Sequence, residues 1–251
     1  MTNPPGRLWV LPEQGIGDQI LCGRFLAQAK KHIGSIIASL DPRLISLFAR
    51  SFPEIDFLPE TEVAQEQYDW HMALCDLPGE MLEAKLSVDW EVSQRYLTSD
   101  PTRTAKIRES LSAGDKILCG VSWQSKRKEG GAKKSASLAD LEPLLRIEGI
   151  SFVNLQYGDV SDQISELFAS TGIQIKRCEN VDNFSDIDGL ASLIDACDFV
   201  VTTSNSTAHL AGALGKETHI LLPEAGRVLL WYWKHDKDGQ SLWYPSCKLY
   251  A

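Results

Sequence analysis

No two of the six cysteines form a Cys-x-x-Cys pair; Cys22, Cys75, Cys119, Cys178, Cys197 and Cys247 are scattered through 251 residues. A zinc site needs more closely grouped ligands than these. Several of the six lie in apolar stretches, so buried, reduced thiols and no metal centre are expected. No apolar run approaches the about 18 residues of a membrane span, and residues 1–7 lack the apolar core of a signal segment. A cytoplasmic protein with no membrane span is the expectation. Positive charge is also short: 25 Lys and Arg stand against 34 Asp and Glu, for a formal net charge of −9. That balance argues against a general binder of nucleic acid or of anionic membranes. It leaves room for a small anion held at a local basic site. Internal repeats and low-complexity tracts are missing too. Pro4-Pro5-Gly6, just ahead of the first apolar run, reads as a linker or a cut end.

What is there is a globular composition, 43% hydrophobic and 24% charged, in a chain long enough for one large or two medium domains. Residues 8–11 predict a buried strand and 12–18 a glycine-bearing turn. Residues 19–32 have helical spacing, with Ile20, Leu21, Phe25, Leu26 and Ala29 on the apolar face. A strand at 36–40, a helix at 42–52, short strands at 56–58 and 70–74 and a helix at 101–111 follow. The pattern then restarts. Strand 117–122, polar loop 123–137, helix 138–145, strand 151–155, helix 163–170, strand 173–175 and helix 187–196 lead to a strand at 199–201. A small-residue helix and a strand at 218–222 come last. Alternation of this kind in both halves predicts parallel sheets. The break falls near residues 112–116, around Gly114, which divides the chain into 1–113 and 114–251. The expected fold class is α/β, two parallel-sheet domains facing a central cleft.

Four constellations carry candidate chemistry. In Glu13-Gln14-Gly15-Ile16-Gly17-Asp18-Gln19 the glycines allow a tight turn and close ligand approach. Asp18 sits at the helix start, where the dipole favours its charge; it either serves chemistry or caps the helix. This is not the dinucleotide fingerprint, because position 20 is Ile where a third glycine is needed. A dinucleotide dehydrogenase is thereby disfavoured. The second constellation is the loop 123–135, which packs Lys126, Arg127, Lys128, Lys133 and Lys134 with one acid, Glu129. Cations on a glycine-hinged loop suit a diphosphate that must be clamped and released; a solvated flexible loop is the plainer reading. The third is Thr202-Thr203-Ser204-Asn205-Ser206-Thr207-Ala208-His209, at the end of one strand and the start of one helix. Open α/β sheets bind ligands there, and free helix N–H groups attract anions. Ser204 or Asn205 suits a helix cap, Ser206 and Thr207 can offer hydroxyls to phosphate, and His209 is either a ligand contact or a core histidine. Ala208, Ala211, Gly212 and Gly215 keep that helix thin. Last, Trp231-Tyr232-Trp233 with Trp243-Tyr244-Pro245 forms either a stacking wall for a sugar or base, or core packing.

The order of three motifs resembles a known family. Glu-Gln-Gly-Ile-Gly-Asp-Gln-Ile-Leu comes near the start and Asn-Ser-Thr-Ala-His-Leu-Ala-Gly-Ala-Leu-Gly near the end, and the closing Trp-Tyr-Pro-Ser-Cys-Lys-Leu-Tyr completes the set. That order resembles the glycosyltransferase-like domain found after tetratricopeptide repeats in bacterial proteins, itself similar to the ADP-heptose:lipopolysaccharide heptosyltransferases. Leu155-Gln156 and Asn183-Phe184-Ser185-Asp186 fit the same pattern. The resemblance spans residues 8–250. It implies a GT-B fold, two Rossmann-like domains with an acceptor-side N-terminal half and a nucleotide-sugar-binding C-terminal half. It implies an inverting, metal-independent transferase with no cofactor beyond its nucleotide-sugar substrate. Asp18 matches the proposed general base, with Gly15, Gly17 and Gln19 on the acceptor-side loop. The donor side takes Ser122, Lys126, Lys134, Gln156, Ser204, Asn205, Ser206, Thr207 and His209. A tetratricopeptide-repeat partner or fused module is implied as well. One departure stands out: the heptosyltransferases read Asp-Thr-Gly where this chain has Ser204-Asn205-Ser206. The resemblance therefore points to a nucleotide-sugar donor without naming the sugar.

The expected reaction is glycosyl transfer from a nucleoside diphosphate to an acceptor hydroxyl, on a glycan or another hydroxyl-bearing molecule. Two rivals remain open. One is a catalytically degenerate fold that binds a nucleotide or glycan; the other is a nucleotide-sugar epimerase, which needs no acceptor.

Overall fold

The computed structural model describes residues 6–86, 88, 95–111, 117–125, 131–223 and 231–250. The chain divides into two compact units, Met1–Thr98 and Ser99–Ala251.

The first unit is built on β1 (Arg7–Leu11), α1 (Ile16–Lys30), β2 (Ser35–Ala38), α2 (Pro42–Ser51), β3 (Asp56–Phe57), β4 (Trp70–Ala73) and α3 (Leu77–Glu83). Its four strands run parallel in the order β3-β2-β1-β4. Leu8, Val10, Ile36 and Ile37 are buried, as a sheet covered by crossover helices requires. Helix α1 buries every position from Gln19 to Leu26, so all its faces are covered in mid-helix. A Cβ on Gly23 would overlap the Phe48 ring of α2, so glycine lets the two helices close on each other. Helix α2 starts where its sequence says it should: Asp41 accepts the Arg43 N–H at 3.1 Å and Pro42 takes the first turn. The Arg43 guanidinium bonded to the Asp41 carboxylate holds that carboxyl below its usual range.

The second unit contains α4 (Pro101–Leu111), β5 (Ile117–Ser122), α5 (Glu142–Leu145), β6 (Ile150–Asn154), α6 (Ser161–Thr171), β7 (Ile175–Lys176), α7 (Ile187–Ala196), β8 (Phe199–Thr203), α8 (Ser206–Ala213), β9 (Thr218–Leu221) and β10 (Cys247–Tyr250). Six parallel strands follow the order β10-β9-β8-β5-β6-β7. The central strands read as unbroken apolar runs because both faces are covered; Leu118, Cys119, Val121 and Val200 are fully buried. Trp123, also fully buried, anchors the core beside Val121, Leu145 and Phe152.

Three features differ from the sequence expectation. The division falls at Thr98/Ser99, so α4 belongs to the second unit. The cause is long-range pairing: Arg103 binds Asp186, the N-cap of α7, and Arg108 reaches the Ala196 carbonyl at 2.8 Å and Asp198 at 3.0 Å. The helix expected over 138–145 shrinks to Glu142–Leu145. Pro143 is tolerated only in a first helical turn, and Ser137–Asp140 instead forms a turn closed on the Asp140 carboxylate. Finally, the closing motif supplies an unexpected sixth strand: β10 pairs with β9 from Cys247↔Thr218 to Tyr250↔Leu221.

Candidate functional site

Three polar side chains sit at the carboxyl ends of adjacent strands β8, β5 and β6. Gln156 follows β6, and its amide oxygen accepts from Ser122 Oγ at 3.1 Å, Trp123 N at 2.8 Å and Gln124 N at 2.7 Å. Its Nε2 donates to the carbonyls of Gln124 and Tyr157. Asn205, after β8, donates to Ser122 Oγ at 2.9 Å and to the Gln124 carbonyl. Its oxygen caps α8 by accepting from Thr207 N at 2.9 Å and Ala208 N at 3.3 Å. All three side chains are buried. Their bonding capacity is taken up internally, so they act as a rigid frame that fixes the loop after β5 against the start of α8.

A second layer surrounds the first turn of α8. Ser204 Oγ accepts from the Trp233 indole N–H at 2.8 Å. His209 stacks on Trp233, with ring centroids 4.9 Å apart and planes 19° apart, and its Nδ1 lies 3.0 Å from Tyr244 Oη. The Tyr244 ring lies against Gly212, where a Cβ would overlap it. Burial, and secondarily the Lys134 ammonium, drive the His209 pKa down to about 3. His209 is thus a neutral imidazole at physiological pH, a core histidine rather than an acid–base group. Thr207 is fully buried, and its hydroxyl has no partner among the described residues. Ser206, beside it, is half-buried.

Lys134 ends a short 3-10 turn, Ala132–Lys134. It is 8% exposed, and its Nζ donates to Tyr232 Oη at 3.2 Å. No carboxylate pairs with it among the described residues. A buried ammonium without a counter-charge is costly, and an incoming anion would offset that cost. Beside the ends of β6 and β7 lies a cleft of about 590 Å³, lined by Gln156, Asp159, Arg177, Asp182, Asn183 and Phe184 among others. Asn183 donates to the carbonyls of Asn154 and Gln156, while its own buried oxygen lacks a partner among the described residues.

In the first unit, α1 begins at Ile16, with Gly15 as N-cap in extended conformation and Gly17 in the first turn. Asp18 is the third helical residue, and its carboxylate accepts the Gly15 N–H at 3.2 Å. Gln14, just before, has φ 58°, in the left-handed region that a non-glycine residue rarely adopts. A cleft of about 410 Å³ is lined by Glu13, Gln14, Gln19, Asp41 and Thr61 among others. Gln19 is buried and accepts the Asp41 N–H at 2.8 Å. Glu13 places one carboxylate oxygen out of solvent with no partner among the described residues.

No family model matches the chain. Protein FlbA of Caulobacter vibrioides is 29% identical over 267 residues, covering 98% of this chain and 43% of FlbA, so the chain spans less than half of that relative. Among solved structures, the family 9 glycosyl transferase of Veillonella parvula aligns over 100% of this chain and 88% of its own, at TM-score 0.70 and 13% identity. E. coli heptosyltransferase WaaC, solved with ADP-2-deoxy-2-fluoro heptose, aligns over 97% and 92% at TM-score 0.60 and 11% identity. E. coli ADP-heptose heptosyltransferase II aligns over 86% and 84% at TM-score 0.59 and 16% identity. The chain shares the fold of these heptosyltransferase-like proteins.

Within this heptosyltransferase-like fold, the residues singled out by sequence fall into distinct places. Ser122, Gln156 and Asn205 converge as a frame. Lys134, Ser204, Ser206, Thr207 and His209 gather around the α8 start and its aromatic neighbours. Gly15, Gly17, Asp18 and Gln19 gather at the α1 start, and Gln19 alone of these lines the N-terminal cleft. Lys126 lies outside the described residues. The sequence reading passed over Arg177 and Asp159, and quoted Glu13 only as the first residue of the α1 motif. It quoted Asn183 only as part of a motif, where the Asp182 carboxylate turns the chain by accepting Phe184 N and Ser185 N. Of the aromatic pairs, Trp233 and Tyr244 prove to be packing for His209, while Trp231 is 54% exposed and edge-on to Trp243 at 5.6 Å. No helix among the described residues is long and apolar enough to cross a membrane.

Proposed function

We propose that this chain is a GT-B glycosyltransferase that moves a sugar from a nucleoside-diphosphate donor to an acceptor hydroxyl. The observation that carries the reading is Lys134, a buried ammonium with no acid partner among the described residues, next to the aromatic shell of the α8 start. In this reading the donor's diphosphate sits between Lys134 and the first turn of α8, where the helix dipole adds favourable potential. Its nucleoside occupies the cleft bearing Arg177, Asp159 and Asn183. Charge that develops on the leaving diphosphate is met by Lys134, so transfer proceeds without a metal. Asp18 takes the proton of the acceptor hydroxyl as it attacks the anomeric carbon, with inversion. General-base help of this kind contributes about 10²–10⁴-fold. The N-terminal unit binds the acceptor and the C-terminal unit the donor. A cytoplasmic nucleotide-sugar pool and a tetratricopeptide-repeat partner belong to the same reading.

A second reading has one observation in its favour: the Asp18 carboxylate is engaged as a helix cap on Gly15 N. On that reading the chain binds a nucleotide sugar and does not turn it over. Calorimetric titration with ADP, UDP and GDP, then product analysis with matching sugar donors and an acceptor panel, separates the two. Binding with acceptor-dependent sugar transfer supports the transferase. Binding without transfer supports the module, donor conversion without acceptor supports an epimerase, and no binding of any nucleoside diphosphate overturns the donor-site assignment.

A further inference from the structure

Cys22 lies on α1, one turn beyond Asp18. Cys75 lies in a short 3-10 turn, Leu74–Asp76, that follows β4 and leads into α3. The strands β1 and β4 are neighbours in the sheet and α1 follows β1, so the fold joins two positions 53 residues apart. Both residues are free thiols. The Cys22 S–H donates to the Cys75 sulfur, and the two sulfurs are 2.6 Å apart. No element has to move far to bond them.

We propose that Cys22 and Cys75 form an oxidisable thiol pair, which hydrogen peroxide converts to an intramolecular disulfide between α1 and the segment after β4. The roles follow from exposure: Cys22 is 7% exposed and Cys75 half-buried, so oxidant reaches Cys75 first. The bond to Cys75 and burial push the Cys22 thiol up, with the Asp18 and Glu13 carboxylates adding to the effect. Cys22 therefore stays protonated until its neighbour has reacted. In the first step the Cys75 thiolate attacks the peroxide; an S–O bond forms, the O–O bond breaks, and the leaving hydroxide takes the proton that Cys75 released. In the second step the Cys22 sulfur attacks the Cys75 sulfenic acid. The S–S bond forms, the S–O bond breaks, and hydroxide leaves with the Cys22 proton as water. Two thiols and one peroxide give one disulfide and two waters. Cys119, Cys197 and Cys247 do not compete, because they are buried and burial holds their thiols protonated.

The test uses the full chain, treated with hydrogen peroxide, alkylated and mapped by mass spectrometry. Expected results are the loss of two alkylatable thiols, a mass lower by two hydrogens, and a linked peptide pair containing Cys22 and Cys75. A rise of several degrees in Tm should accompany them, since the bond closes a long loop of the unfolded chain. Dithiothreitol should reverse all of these. Cys75→Ser and Cys22→Ser should each abolish the linked pair, and Cys178→Ser should keep it. The wild-type map stands even if a serine variant fails to fold. A linked pair involving other cysteines, or Cys75 over-oxidised while Cys22 remains alkylatable, overturns the proposal. None of these readouts depends on glycosyl transfer.

Discussion

At the carboxyl ends of β5, β6 and β8, Ser122, Gln156 and Asn205 hold one another and the loop behind them through buried hydrogen bonds. At the carboxyl end of β1, Asp18 is held by a bond to the backbone N–H of Gly15, at a partly exposed helix start. The first arrangement is preorganised: moving any member leaves a buried polar group unsatisfied. The second costs little to rearrange, since water can replace the Gly15 bond. A site that must hold a diphosphate in one place benefits from the former. A carboxylate that must exchange a backbone N–H for an acceptor hydroxyl benefits from the latter. The contrast separates residues by what their loss should damage, chemistry at Asp18 and the fold at Gln156.

The sharpest test of that contrast is Asp18→Asn. Asparagine keeps the acceptor for Gly15 N, so the change in stability should stay below about 1 kcal/mol. Transfer should fall by about 10²–10⁴-fold, or about 3–5 kcal/mol, with nucleoside-diphosphate affinity unchanged. Steady-state rates beside calorimetric binding decide it; full activity in the variant removes Asp18 as the base. Gln156→Leu should do the reverse. It strips the acceptor from Ser122 Oγ, Trp123 N and Gln124 N inside the protein. A loss of about 3 kcal/mol is expected from the orphaned donors. Urea unfolding measures it, and a stability within experimental error of wild type would mean that the frame bears no load.

The same contrast explains what the sequence revealed. Parallel sheets were legible because Val200-Val201 and Leu118-Cys119 read as unbroken apolar runs between helical stretches. A cap at Ser204 or Asn205 was legible because both residue types, placed before a small-residue helix, mark a helix start, and the structure gives that role to Asn205. The affiliation of α4 was not, since it depends on Arg103 and Arg108 meeting partners 83 and 88 residues away. Strand β10 escaped because Cys247-Lys248-Leu249-Tyr250 is only four residues and gains its identity from β9. In the site, Ser204 read as a helix cap or a donor-binding residue, yet it accepts the Trp233 N–H from 29 positions on. Nothing local in the sequence announces such a pair. Arg177 and Asp159 were likewise hidden, because the cleft they line is assembled from separate loops.

Lys134→Met probes a buried cation that has no acid partner among the described residues. Methionine keeps much of the packing on Tyr232 and removes the charge. Nucleoside-diphosphate affinity should drop by roughly 10- to 100-fold, about 1.5–3 kcal/mol for a lost charge-assisted hydrogen bond. Stability should hold or rise, because an uncompensated buried charge is gone. Unchanged affinity in calorimetry would move the diphosphate away from Lys134.

His209 tests whether the aromatic shell is as dry as the frame beneath it. Its pKa of about 3 in the folded protein lies below the about 6.5 of an unfolded chain. Below about pH 6.5 the unfolded state therefore binds a proton that the native state refuses, and stability falls with pH. The contribution is fully present above the unfolded value and is lost progressively as pH drops from about 6.5 toward 3. By pH 5 the loss relative to pH 7.5 should be about 2 kcal/mol. In His209→Gln, which keeps an acceptor for Tyr244 Oη, that part of the slope should vanish while titration of other groups persists. Paired urea unfolding of wild type and variant at the two pH values isolates it. Parallel stability–pH curves for wild type and variant would mean that His209 meets water in the native state, and that the shell around α8 is open where the frame below it is closed.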